Sequence, residues 1–400
     1  MAVLIMCFPK MGILISAGIP LYVSVVMGSI LTLMGVISAL RYKNETLSQL
    51  FLLLIGSAAV IWFGNLYFVI TDSSSTYQLV RMVFYFLPIA GLGILFFIAH
   101  RPSLLMYTID CTRLSFYFLL FYAFLQLVFG AEAVAINNIT ATYDSSFEEV
   151  IKKTNVIHRL GGDTFKLFST YQNGNLFVIS LILLAPIAIY SEKRIWLLLF
   201  AIPLLHLVVI FCASTTGYIS LLMLDAILIF SSSVMRRFAL LFLGGILFLW
   251  MIIFSSFCSN GQSAVLQLLA VKLFNRDLTE NERWNKASIW MDNVESNPFI
   301  LFYGELSTLT VPIFEILPLS IIQFYGMFVT FLFYAVIVYA LRPLRFRMYK
   351  VGIIIYLITS IGSGGFWLTP TAYILGIVCG IVVGLDRYEN RQLNDKLKVD

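Results

Sequence analysis

The chain has 400 residues, 60% of them hydrophobic and only 12% charged, with a formal net charge of +5 and a mean hydropathy of +0.93. Soluble domains carry about 25% charged residues, so a water-exposed globular domain is excluded and lipid is the expected solvent. The net charge says little about partners, because in a membrane protein the placement of charge matters more than its sum.

Apolar runs of about 20 residues recur along the chain and read as spanning helices. They fall at 18–40, 48–71, 81–99, 114–131, 172–190, 195–213, 217–234, 238–257, 317–341, 351–363 and 371–386. The first forty residues fit either one tilted span with an interfacial segment or two short spans broken at Gly18-Ile19-Pro20. The expected fold is therefore all-α: a polytopic bundle of 11 or 12 spanning helices. It forms a single integral membrane domain over 1–400 and shows no internal repeat. No cleavable signal peptide is expected, because the first apolar stretch continues into a span. Cys7, Cys111, Cys212, Cys258 and Cys379 are scattered and mostly inside apolar runs. Without CxxC or metal-ligand spacing they read as small apolar residues, and no metal or cofactor is expected. The sequon at Asn138 matters only in a secretory pathway, to which nothing else points.

Charge sets the orientation. One set of alternate connections holds Arg41/Lys43, Arg101/Arg113, Lys193/Arg194, Arg236/Arg237, the Arg342–Lys350 cluster and the tail from Arg387, most of the 26 Lys and Arg. The short connections of the opposite set, near 72–77, 214–217 and 363–370, are almost free of them. The positive-inside rule then places the tail, 387–400, in the cytoplasm and two long loops, 132–170 and 258–316, outside. Both loops carry signals of folded structure. Ser145 and Glu148 form one capping box, with Glu148/Lys152 and Glu149/Lys153 as i,i+4 pairs. Thr279 and Glu282 form a second, opening a helix that Asn297-Pro298 should end.

Several residues have the chemistry of a site. On the second-loop helix Arg283, Lys286 or Ala287, and Trp290 share a face. Two cations beside an aromatic ring suit a phosphate and a sugar, and the planar Arg fork fits phosphate oxygens. The same pattern equally describes an interfacial helix touching lipid headgroups. In the first loop, Arg159-Leu-Gly-Gly leads to Tyr171, Asn173 and Asn175 at the mouth of the next span. Amide and phenol groups there suit sugar hydroxyls, which need donors and acceptors; a turn followed by helix capping from Asn is the alternative. Asp225 sits mid-span, where an ionisable group is costly, with His206 in the preceding span as a candidate partner. Glu315, where the second loop re-enters the membrane, has the makings of a general base with a raised pKa, or of a solvated interfacial carboxylate. No nucleotide-binding loop, GxSxG or HExxH occurs.

These elements, in order, resemble a known family. Ser214-Thr-Thr-Gly217-Tyr-Ile-Ser at an outer connection resembles the Ser-Arg-x-Gly-hydrophobic element of bacterial O-antigen polymerases and ligases. Glu282-Arg-Trp-x-x-Ala287-x-x-Trp290, then Asn297-Pro-Phe and Gly304, resembles their second-loop pattern, and Arg159-x-Gly-Gly leading to Asn173-Gly-Asn175 their first-loop pattern. The likeness covers about 155–330. Thr215 stands where many members have Arg, and the Arg-x10-Gly spacing is absent, Thr170 and Val294 occupying the Gly positions. Ligases carry a His near the end of the second loop; here Glu315 stands in roughly that place, which favours the polymerase branch.

The resemblance implies a GT-C-like, Wzy-type surface-polysaccharide polymerase in the bacterial inner membrane. Its substrates would be undecaprenyl-diphosphate-linked repeat units in membrane lipid, with a chain-length-setting protein as partner and no nucleic acid, metal or nucleotide. Arg283, Arg159 and Lys286 would hold the diphosphate and Glu315 would act on the acceptor hydroxyl. Trp290, Tyr171, Asn173, Asn175 and Gly217 would line the sugar site. The alternatives are a ligase passing polymer to lipid A-core and a flippase or transporter.

Overall fold

A computed structural model describes residues 1–14, 20–71, 76–141, 167–171, 173–212, 214–231, 282–304, 317–342, 347–360 and 370–396. Over these residues the chain is almost wholly helical. α1 (Ala2–Cys7) and a small antiparallel pair, β1 (Gly12–Leu14) and β2 (Pro20–Tyr22), precede α2 (Val23–Arg41). Then come α3 (Thr46–Thr71), α4 (Thr76–Gly91), α5 (Gly93–Ala99), α6 (Pro102–Phe129) and α7 (Ala131–Val134). After a 3-10 turn at Ser169–Tyr171 follow α8 (Gly174–Ser191), α9 (Ile195–Phe211) and α10 (Thr215–Ser231). The last five are α11 (Glu282–Ser296), α12 (Ile300–Tyr303), α13 (Leu317–Leu341), α14 (Val351–Thr359) and α15 (Thr371–Lys396).

Six of the described helices are long and apolar enough to cross a membrane: α2, α3, α6, α8, α13 and α15. Large apolar side chains stand bare on their flanks, Val60 at 73% exposure and Phe331 at 70%. Such side chains need hydrocarbon around them, so this is a multi-pass membrane protein. Shorter apolar helices run over Tyr85–Ala99, Ile195–Phe211 and Thr216–Leu228. The expected count of 11 or 12 is therefore not reached by full-length helices among the described residues. The expected span at 238–257 lies outside them. α14, with nine residues, rises only about 14 Å.

Three boundaries differ from expectation for visible reasons. α6 begins at Pro102, twelve residues before its expected start, because its polar residues are partnered: Thr108 and Thr112 donate to carbonyls one turn back, and Arg113 pairs with Asp110. The 81–99 run is two helices with Leu92 between them. α15 runs on to Lys396, so the described part of the expected tail is helix. At the amino end one spanning helix forms, preceded by a buried short helix and a strand pair. Thr170 donates its hydroxyl to the Cys7 carbonyl, and Tyr171 its hydroxyl to the Met6 carbonyl at 2.7 Å.

The centre of the bundle is a sandwich of α2, α5 and α15. Its closeness comes from small residues. A methyl on Gly35 would lie 1.8 Å from the Gly93 carbonyl oxygen, and one on Gly376 would lie 2.4 Å from that of Gly91. Gly376, Gly380 and Gly384 repeat every fourth residue and form one stripe of α15, packed on α5 and its neighbours. In lipid, where apolar burial drives no helix pairing, such backbone contact is a main source of association.

The described residues of the basic connections gather at one end. There Arg387 pairs with Glu45, His100 lies 3.4 Å from Glu45, and Arg113 donates to the Ser191 carbonyl at 3.3 Å. Glu192 is buried in the same region and accepts from the backbone of Lys193 and Arg194, from Arg194 Nε at 3.1 Å and from Tyr117 at 3.2 Å. Burial opposes its ionisation, but the hydrogen bonds and charge of Arg194 outweigh that and hold its carboxyl below the usual value. For His100, burial dominates and lowers the imidazole below its ordinary value.

Candidate functional site

The opposite end carries what is described of the two long loops. α11 ends at Ser296, and Asn297-Pro298-Phe299 turns the chain into α12, which ends at Gly304. The Asn297 amide donates to the Tyr303 hydroxyl at 3.1 Å and steadies the turn. Trp290 and Val294, one turn apart, are buried against Leu301, Leu319 and Ile322. The loop helix is thereby pinned to α12 and to the first turns of α13.

A second lock is made by two glycines with left-handed backbones. Gly304 has φ 73° and Gly326, inside α13, has φ 75°. A Cβ on Gly304 would meet the Phe324 carbonyl at 2.3 Å, and one on Gly326 would meet the Phe302 carbonyl oxygen at 2.1 Å. Each glycine sits against the backbone beside the other, and both conformations suit glycine alone. α13 is broken at Gly326, where Thr330 donates to the Gly326 carbonyl at 2.8 Å. The hairpin α11–α12 therefore lies along the first ten residues of a broken spanning helix.

The expected site residues fall into three groups. Arg159 and Glu315 lie outside the described residues, as do the capping boxes' Ser145, Glu148 and Thr279. Arg283 and Lys286 belong to α11 by backbone, but their side chains are outside the description. Helical geometry sets the Cα positions of Arg283 and Ala287 on the stripe that Trp290 and Val294 continue.

A second group is engaged in packing or capping: burial takes Tyr171, Trp290 and Gly217 out of the expected sugar lining, whereas Asn173 and Asn175 keep accessible surface. Tyr171 is fully buried with its hydroxyl on the Met6 carbonyl, so it holds the amino-terminal segment and presents no face to a sugar. Trp290 is 5% exposed and serves as the anchor of the loop helix. Gly217 lies in the first turn of α10, where a Cβ would stand 2.7 Å from Val178 of α8; its N–H donates to the capping Ser214 hydroxyl. Asn173 caps α8, its side-chain oxygen accepting from the N–H groups of Asn175 and Leu176 at 2.9 and 3.3 Å. It stays exposed at the mouth, with Asn175 half-buried beside it.

The third group is Asp225 and His206, which pair as expected, Nε2 to Oδ2 at 2.8 Å, between α9 and α10. The other ring nitrogen, Nδ1, bonds to the Ile202 carbonyl at 2.8 Å.

Reading the sequence missed two features, the Gly304–Gly326 lock and the glycine stripe of α15. The four-residue spacing of Gly376, Gly380 and Gly384 inside an apolar helix was the available signal for the second. No protein-family model, curated protein or solved structure matches this chain.

Proposed function

We propose that the chain is a surface-polysaccharide polymerase of the bacterial inner membrane, joining lipid-diphosphate-linked repeat units at the face that bears the long loops. The observation that carries this reading is the pinned hairpin. Trp290 and the two glycines hold a polar helix carrying Arg283 and Lys286 against the broken end of a spanning helix. A loop serving only as a connection needs no such fixture, whereas a leaving group is gripped well only by pre-positioned donors.

In this proposal an acceptor hydroxyl attacks the anomeric carbon at the reducing end of the donor chain. The bond from that carbon to the diphosphate oxygen breaks, and the lipid diphosphate departs with the electron pair. Arg283 and Arg159 meet the growing negative charge, with hydrogen bonds worth about 1.5–3 kcal/mol each. Glu315 takes the hydroxyl proton, and Asn173 and Asn175 contact sugar at the mouth. The C-terminus is on the cytoplasmic side.

The test is a deletion strain complemented with Arg283→Ala at normal protein level. It should display glycans of a single repeat unit, whereas full-length chains from that strain would end the assignment. Bare core with lipid-linked polymer would move the protein to the ligase branch.

A second reading, a transporter of the lipid-linked repeat, draws on the break at Gly326 and the intramembrane His206–Asp225 pair. Accumulation of repeats on the cytoplasmic leaflet of the deletion strain would favour it.

A further inference from the structure

At the basic end of the bundle a half-open cavity of about 570 Å³ lies between the α2–α3 turn, the end of α13 and the outgoing part of α15. That volume falls within the roughly 300–1,000 Å³ usual for small-molecule sites.

Its charged walls are Glu45, Arg387, Arg342 and Asp386. Glu45 and Arg387 are paired with each other, and Glu45 also faces His100 at 3.4 Å. Arg342 is exposed, lies 5.7 Å over the Tyr339 ring and enters no ion pair among the described residues. Asp386 has one oxygen engaged, by Asn390 at 3.2 Å, and feels the charge of Lys350, which lies outside the lining and donates to the Leu341 carbonyl at 2.7 Å. One cation and one carboxylate are therefore left to face a ligand across the cavity, and the four charges sum to zero. Leu47, Val383 and the Tyr339 ring supply an apolar side.

We propose that this cavity binds a zwitterionic phosphate ester bearing a primary ammonium, supplied by the bilayer as a phosphatidylethanolamine headgroup. Arg342 meets the phosphate, as a planar fork of donors does well. Asp386 accepts from the ammonium. The apolar wall takes the glycerol and the first acyl carbons. An anionic lipid would bring one negative charge more than a neutral lining balances. A phosphatidylcholine headgroup offers Asp386 no N–H donor. The inference rests on the chain crossing a membrane and not on the proposed polymerase activity.

The experiment is native mass spectrometry of the full chain released from detergent. Phosphatidylethanolamine, phosphatidylcholine and phosphatidylglycerol are added at equal concentration. The ethanolamine lipid should be retained in preference. Asp386→Asn should cut its advantage over the choline lipid by about tenfold, the loss of one charge-assisted hydrogen bond. Arg342→Ala should weaken both lipids alike; if it does not accumulate, Arg342→Gln serves. Soluble glycerophosphoethanolamine at the same concentration should not displace the lipid. Equal retention of all three lipids, unchanged selectivity in Asp386→Asn, or displacement by the soluble ester would each overturn the proposal. A polymerase assay that failed while the lipid stayed bound would count against the function proposed above and not against this site.

Discussion

His206 Nε2 and Asp225 Oδ2 lie 2.8 Å apart in the apolar part of the bundle, while His206 Nδ1 stands 2.8 Å from the Ile202 carbonyl. A carbonyl only accepts, so Nδ1 carries a hydrogen. The close approach of Nε2 to a carboxylate oxygen then needs one more proton between them. Whether that proton rests on the ring or on the acid, the pair is neutral as a unit. This is how an aspartate is tolerated among Leu224, Leu228 and Leu221, all buried around it.

Removing one member should therefore hurt more than removing both. Asp225→Leu or His206→Leu alone should cost about 3–5 kcal/mol, the penalty of a broken buried pair. The double variant should recover much of it. Thermal melts of the four proteins in one detergent give the cycle; additive losses would show that the two side chains do not act together.

The hairpin gives a second prediction. Trp290→Ala removes the anchor of α11 and should cost the local structure about 3–5 kcal/mol. Gly304→Ala should have a similar local effect, since its methyl has only the Phe324 backbone to enter. Limited proteolysis of membranes should cut the second loop faster in both variants, and under the proposed function long glycans should be lost while the protein persists. Unchanged cleavage rates would mean that the hairpin is held by something else.

The glycine stripe predicts failure of the bundle itself. Gly376→Leu or Gly380→Leu forces side-chain volume into the backbone of Gly91 at the end of α4 or of Leu95 in α5, a strain of about 1–3 kcal/mol or more. Membrane levels should fall sharply. Substitution at Gly56, which has nothing within 4 Å of its Cβ position, should be tolerated. Equal accumulation of both kinds of variant would contradict the packing described.

Glu192 predicts a pH dependence whose sign is fixed. Its folded carboxyl lies below the usual value, near 4.3 for a free glutamate (approximately). The contribution is complete above that value and is lost as pH falls through the lower folded one. Glu192→Gln should melt earlier than the parent at neutral pH, and the gap should close on acidification. A gap that stayed constant with pH would assign the loss to packing and not to charge.

The spans were legible because apolar length is a direct physical requirement of lipid. The α13 limits, 317–341, were read to the residue. Its break was not, because Gly326 is one glycine in an apolar run and only its neighbour Phe302, distant in sequence, explains it. Polar residues misled in the other direction. Asp110 and Arg113 looked like a connection until their pairing placed them inside α6. At the site, residue type alone could not separate a sugar contact from a packing residue. Tyr171 and Trp290 have the right chemistry for a ligand, but their burial is a property of segments more than a hundred residues away or of a turn yet to form. Asp225 and His206 were readable because an isolated charge in hydrocarbon demands a partner and few were on offer.

The bonds from Thr170 and Tyr171 to Cys7 and Met6 span 163 and 165 positions of the chain. The opening segment consequently lacks these two bonds while the first spans are being threaded into the bilayer, although α2 and α6 already offer it packing. Its two carbonyls must wait, wetted or chaperoned, until α8 is about to leave the ribosome. One contact of the amino-terminal segment thus closes only once the middle of the chain has been made.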